Sequence, residues 1–180
     1  LNKVSDKSRK LASFIEVMLT NIEKNKFKPF KQNIKIIMEK IILFWNNNYA
    51  WINIKLDILG NQDFFISEDI LRVIFDNLIL NSIQQNYSFR NSQLNISIVL
   101  KIETNFMDIE YTDYGNGLAK KYLSDPEKIL KVHETTRKNG HGLGMWIVNN
   151  TILDSGGKIE SIDGKKGFKI KFNIGEKYDK

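Results

Sequence analysis

The chain has 180 residues, 42% hydrophobic and 27% charged, which fits one globular domain, with or without a helical extension, rather than a disordered chain. It holds no cysteine, so disulfides and thiolate metal sites are excluded; His133 and His141 alone are too few and too close for a zinc centre. The formal charge of +6 is spread over lysines at 24–40 and 165–171, and arginine stands only at 9, 72, 90 and 137 without an aromatic ladder, so nucleic acid is not an expected partner.

Residues 3–25 are predicted helical. Val4, Leu11 and Met18 lie seven apart, with Ile15 and Ile22 beside them. Such a seam suits a partner helix, from this chain or from a second copy in a homodimer, and equally a helix packed on its own domain. Pro29 breaks the pattern. The chain is accordingly divided into an extension, 1–27, and a second unit, 28–180. A second helix is expected over roughly 30–46, with Ile34, Ile37, Met38, Ile41 and Trp45 on one side.

Asn46-Asn47-Asn48 ends that helix, and Ile52, Ile54, Leu56 and Ile58 alternate with polar residues as a half-buried strand does. Phe64-Phe65-Ile66 suggests a short strand. Leu71–Asn86 is an apolar helix that Ser67 can cap and whose positive end Glu68 and Asp69 favour. After a polar loop at 86–93, Leu94 to Ile102 alternates, and Met107, Ile109 and Tyr111 repeat the alternation, giving an antiparallel pair. Residues 118–140 show no sustained period beyond a turn at Pro126; so long an irregular insert is usually functional or mobile. A helix over about 142–154 and a terminal hairpin around Gly164–Gly167 complete the chain. The mixture predicts an α+β sandwich: one mostly antiparallel mixed sheet covered by helices on one face. No stretch reaches the eighteen or so apolar residues of a membrane span and no signal peptide is evident, so a cytoplasmic chain is expected. Beginning at Leu1 rather than methionine, it reads as a fragment of a longer, membrane-anchored or soluble protein.

Three stretches carry chemistry. Asn77 and Asn81 stand one helical turn apart, so both carboxamides share a stripe aimed at something polar. Taken alone, that is also what an ordinary wet face looks like. Asp113-Tyr114-Gly115-Asn116-Gly117 follows a strand directly; its carboxylate can accept a hydrogen bond from an exocyclic amine, and its glycines leave room for a flat ring. An ordinary turn or part of a calcium loop has the same pattern. Gly140-His141-Gly142-Leu143-Gly144 opens a helix, where unpaired N–H groups and the dipole suit phosphate, or it is a plain glycine loop. A dinucleotide fingerprint does not fit, because no βαβ unit frames the loop, and a P-loop does not fit, because Gly-Lys-Ser/Thr is missing. Together the three supply contacts for a cation, a base and phosphates, a recipe for Mg–ATP.

In this order, N-x-x-x-N, D-x-G-x-G and G-x-G-L-G resemble the Bergerat ATP-binding fold of sensor histidine kinases, gyrase and mismatch-repair ATPases, over about residues 28–174. The resemblance implies Asn81 as the Mg²⁺ ligand, Asn77 on the phosphate side and Asp113 on the adenine amine, with Gly115 and Gly117 shaping that pocket. It implies Gly140, Gly142, Leu143 and Gly144 in a phosphate-binding lid. Thr135-Thr136-Arg137 is similar to the Thr-Thr-Lys before this loop in many kinases, which implies a contact for Thr136 and puts Arg137 near the terminal phosphate. The sequence departs from the kinase pattern at Gln84 and Gln85, where lysine and tyrosine are usual, and at Leu130 and Glu134, where phenylalanines are usual.

In the gyrase-like branch a glutamate activates water at the position of Asn77; an amide cannot, and Asp76 is rotated about 100° around the helix. The resemblance therefore implies the catalytic, ATP-binding part of a histidine kinase. Its γ-phosphoryl group would go to a histidine outside this chain, on a dimerisation domain, and onward to a response regulator, with 1–27 as the tail of the dimerisation hairpin. The rival expectations are a slow stand-alone ATPase and a nucleotide-gated regulatory module.

Overall fold

The structure, a computed structural model, describes residues 29–134 and 142–175. The expected helical extension at 1–27 lies outside them.

Strand β1 (Phe30–Asn33) leads into helix α1 (Ile34–Asn48), followed by β2 (Ile52–Gly60), β3 (Asp63–Ile66) and helix α2 (Glu68–Gln85). Next come β4 (Leu94–Ile102), β5 (Phe106–Asp113), helix α3 (Gly144–Asp154), β6 (Lys158–Asp163) and β7 (Phe168–Gly175). Short 3₁₀ turns at Tyr87–Asn91, Lys120–Tyr122 and Pro126–Leu130 punctuate the loops.

Five strands form one sheet in the order β2-β4-β5-β7-β6. Among the described strands only β2 and β4 run parallel; they are joined through α2, and a crossover of that kind is what a parallel pair requires. The pairs β4–β5, β5–β7 and β6–β7 are antiparallel. Leu94, Ile96, Ile98, Leu100, Ile109, Tyr111, Ile170 and Phe172 face one way and are buried under Ile37, Ile41, Leu71, Ile74, Phe75, Leu78, Val148 and Ile152 of the helices. On the opposite, wet face Glu110 holds Lys169 at 2.6 Å and Lys171 at 2.8 Å. The expected layering is therefore the observed one.

In β6, Ile159 and Ile162 are three apart, which a regular strand would put on opposite faces. A bulge at Glu160 corrects this: Ile159 pairs with Phe172 and Ile162 with Ile170, so both turn inward.

Two expected boundaries change. The helix predicted from about residue 30 starts at Ile34, because Phe30–Asn33 pairs antiparallel with β3. Gln32 Nε2 donates to the Ile66 carbonyl at 3.0 Å, and Asn33 then caps α1, its Oδ1 accepting the Ile36 N–H at 3.2 Å. The helix expected from about 142 starts at Gly144. Elsewhere the signals hold: Ser67 Oγ accepts the Asp69 N–H at 3.3 Å at the head of α2, and the apolar stripe of α1 is the one foreseen. No helix among the described residues is long and apolar enough to cross a membrane.

Candidate functional site

The end of β5, the cleft-facing side of α2 and the start of α3 converge on one cleft. Asn81, Ser82, Gln85, Asn86, Asp113 and Gly144 are among the residues that line it.

Its floor is Asp113, 2% exposed. Oδ1 accepts the backbone N–H of Gly115 at 3.0 Å and of Phe168 at 3.3 Å; Oδ2 accepts the Ser82 hydroxyl at 2.6 Å. Burial pushes this carboxyl above its ordinary 3.8; the hydrogen bonds from Ser82, Gly115 and Phe168 pull against that, with a smaller pull from the neighbouring Asn86 carboxamide. The Tyr111 hydroxyl stands 2.8 Å from Ser82 Oγ in the same buried chain.

The D-x-G-x-G turn is locked on two sides. A Cβ on Gly115 would fall 2.1 Å from Asn86 Oδ1 and 2.2 Å from its Cγ. Asn86, at the end of α2, donates from Nδ2 to the Ser82 carbonyl at 2.9 Å and accepts the Asn116 N–H at 2.7 Å. Gly117 has φ +75°, and a Cβ there would meet the Gly164 carbonyl at 2.2 Å. The β6–β7 turn thus presses directly on the candidate base pocket, and only glycine admits it.

At the other end of the cleft, Asn77 and Asn81 flank the first residue of α3. A Cβ on Gly144 would lie 3.2 Å from Asn81 Nδ2 and 3.3 Å from Asn77 Oδ1. Asn77 Nδ2 donates to its own helix at the Val73 carbonyl, 2.7 Å away. Asn81 Nδ2 is buried with no hydrogen-bond partner among the described residues. A buried amide without a partner is costly and calls for one. Leu143 is the N-cap residue of α3 and no side chain among the described residues caps it; the N–H groups at such a helix head suit an anion. Gly142, at φ +64°, passes against the backbone of His133 and Glu134.

Asp76 is directed elsewhere: its Oδ1 accepts the Trp45 indole N–H at 2.7 Å. Glu134, one of the residues that departs from the kinase pattern, accepts the Tyr122 hydroxyl at 2.9 Å and pairs with Lys121 at 3.5 Å. Thr136, Arg137 and Gly140 lie outside the described residues. The structure thus brings Asn81, Asp113, Gly117, Gly142 and Gly144 into the lining of one cleft, with Asn77 against Gly144, Gly115 bonded to Asp113 and Leu143 at the head of α3. Sequence reasoning missed Ser82 and Asn86. Ser82 was detectable as the one hydroxyl in an otherwise apolar stripe, Leu71, Ile74, Phe75, Leu78, Ile79 and Ile83.

Residues 66–177, more than half of the chain, match the family described as "Histidine kinase-, DNA gyrase B-, and HSP90-like ATPase". The chain belongs to this ATPase family. Its sequence is 27% identical over 173 residues to the sensor protein VanSC of Enterococcus gallinarum, covering 91% of this chain and 45% of that protein. It is 37% identical over 100 residues to the sensor histidine kinase ZraS of Salmonella typhimurium, covering 54% of this chain and 20% of that protein. The chain therefore spans less than half the length of these relatives. The catalytic domain of histidine kinase ThkA superposes with a TM-score of 0.67 at 18% identity, over 82% of this chain and 95% of the ThkA domain, a likeness of fold. ATP binding follows from the family.

Among the described residues no three His, Cys, Asp or Glu side chains gather to hold a metal. A hard cation can draw its ligands from an amide oxygen, nucleotide phosphates and water. The Asn81 carboxamide, with its unpartnered amide beside the helix head, fits that role; rotating the amide about its terminal bond exchanges oxygen and nitrogen.

Proposed function

We propose that this chain is the catalytic, ATP-binding part of a sensor histidine kinase, residues 28–180 forming that domain and 1–27 the tail of a dimerisation hairpin. The observation that carries the reading is the pairing, across one cleft, of the buried Asp113 acceptor with the Asn77–Asn81 stripe at the uncapped head of α3.

Asp113 accepts a hydrogen bond from the adenine amine, and Gly115 and Gly117 leave the ring its space. The α3 head, with Gly142, Leu143 and Gly144, and the Gly140, Thr136 and Arg137 side of the loop receive the phosphates. Asn81 holds Mg²⁺, which when bound neutralises charge on the phosphates. Asn77 orients the phosphate end. The acceptor is a histidine imidazole of a separate dimerisation domain; its nitrogen attacks the γ-phosphorus in line while the bond to ADP breaks, and a response regulator takes the phosphoryl group next. The compartment that supplies ATP and these partners is the cytoplasm. Transfer is favoured over hydrolysis because an amide occupies position 77 and Asp76 is tied to Trp45, so neither of these two positions offers a general base to an attacking water.

The test is release of labelled phosphate and acid-labile protein labelling, with and without a cognate histidine-bearing dimerisation domain. The chain alone should do neither, and the added domain should restore transfer. Turnover above roughly 1 s⁻¹ by the chain alone, the range of a competent enzyme, would favour the stand-alone ATPase.

A further inference from the structure

We infer that Tyr111 and Ser82 are positioning residues: a one-way hydrogen-bond relay that holds the Asp113 carboxylate as a pure acceptor and so sets the choice of adenine over 6-oxo purines. The inference rests on the adenine role proposed above for Asp113.

Its direction follows from proton counting. Ser82 has one hydroxyl hydrogen, and the 2.6 Å contact to Asp113 Oδ2 takes it, because an ionised carboxylate only accepts. At 2.8 Å from Ser82 Oγ, the Tyr111 hydroxyl must then be the donor. Tyr111 is fully buried, so its proton has no solvent to turn to, and burial together with the Asp113 charge keeps the phenol protonated. Three donors reach the carboxylate by geometry, Gly115 and Phe168 on Oδ1 and Ser82 on Oδ2, while Asn86 Nδ2 is directed to the Ser82 carbonyl, so one lone pair on Oδ2 stays open for an incoming donor. A purine 6-amine is a donor; a 6-oxo group is an acceptor and meets oxygen with oxygen. Among the described residues, the groups facing Asp113 are these hydroxyls and amides and the Asn86 carboxamide, none of them cationic. The ionised form therefore depends on neutral donors, of which Ser82 is the foremost. Without the Ser82 hydroxyl a buried carboxyl turns toward its neutral form, which can donate to a 6-oxo group.

The experiment compares equilibrium binding of ATP and inosine triphosphate to the full chain, as found and as Ser82→Ala and Tyr111→Phe, at neutral and mildly acidic pH. Ser82→Ala should lower the ATP-over-ITP affinity ratio by about tenfold, the scale of one hydrogen bond to a charged group. Tyr111→Phe should lower it less, and in both variants the pH at which ATP binding weakens should move up. Thermal midpoints identify a variant that has lost its fold; Tyr111→Phe, which deletes one oxygen and keeps the ring, then carries the test. An unchanged ratio in folded variants overturns the relay while leaving the adenine role standing. Absence of ATP binding to the unaltered chain overturns the adenine role itself.

Discussion

Replacing Gly115 by alanine isolates the contact that shapes the candidate base pocket. The backbone at Gly115 is not in the left-handed region, so the cost of a methyl group is steric rather than conformational. That methyl would lie 2.1 Å from Asn86 Oδ1, and Asn86 is buried, with its amide on the Ser82 carbonyl and its oxygen on the Asn116 N–H. Accommodating it means moving Asn86 off both partners. Two hydrogen bonds at about 1 kcal/mol each, plus overpacking of about 1–2 kcal/mol, give roughly 3–4 kcal/mol. For a chain of this size that lowers the thermal midpoint by roughly 6–15 °C. Urea unfolding of Gly115→Ala, Asn86→Ala and the double variant reads the coupling directly. Because Asn86→Ala removes the obstructing carboxamide, the double variant should be about as stable as Asn86→Ala alone. A loss below about 0.5 kcal/mol for Gly115→Ala, the range of an uninvolved surface site, or strict additivity in the double variant, refutes the interlock.

Further outcomes follow from the same contacts. Asp76→Ala should cost about 1–2 kcal/mol by orphaning the Trp45 indole N–H, and leave ATP affinity unchanged; a loss of nucleotide binding by titration calorimetry would return Asp76 to the site. Asp113→Asn should weaken ATP more than GTP, read by competition binding; equal affinities before and after would remove Asp113 from base recognition. The Asp113 carboxyl is raised by burial, so its contribution favours the nucleotide-free fold at low pH and is lost as pH rises through its folded pKa, whereas ATP affinity should move the opposite way. Glu110 is lowered by its hydrogen bonds to Lys169 and then Lys171, so its stabilisation is present above the ordinary 4.5 and fades as pH falls through the lowered value. Glu110→Gln should make that acid limb of the stability profile shallower, and an unaltered limb would show that this partly exposed cluster contributes nothing measurable.

Much of the architecture is legible in the sequence because its signals are local. The alternation of Leu94 to Ile102, the Ser67 cap and the stripe Ile34, Ile37, Met38, Ile41 and Trp45 each report a periodicity or a cap that tertiary packing then respects. Four-residue β1 escaped because its pattern runs straight into the stripe of α1, and only pairing with β3 distinguishes it. The parallel pairing of β2 with β4 is likewise a property of the crossover, since alternation carries no direction. At the site, the asparagine and glycine spacings declared themselves, whereas Ser82 and Asn86 did not. Their meaning comes from Asp113 and Gly115, about thirty residues away in sequence and in direct contact in space.

The most direct test of the account is thermal unfolding of the chain and of Asn81→Ala, each with no ligand, with ATP, and with ATP and magnesium. A ligand that binds only the native state raises its stability, by about 2.7 kcal/mol at a hundred times its dissociation constant. The account predicts a rise with ATP, a larger rise with magnesium added, and loss of the magnesium increment alone in Asn81→Ala. An unshifted midpoint at several millimolar nucleotide and magnesium would contradict it.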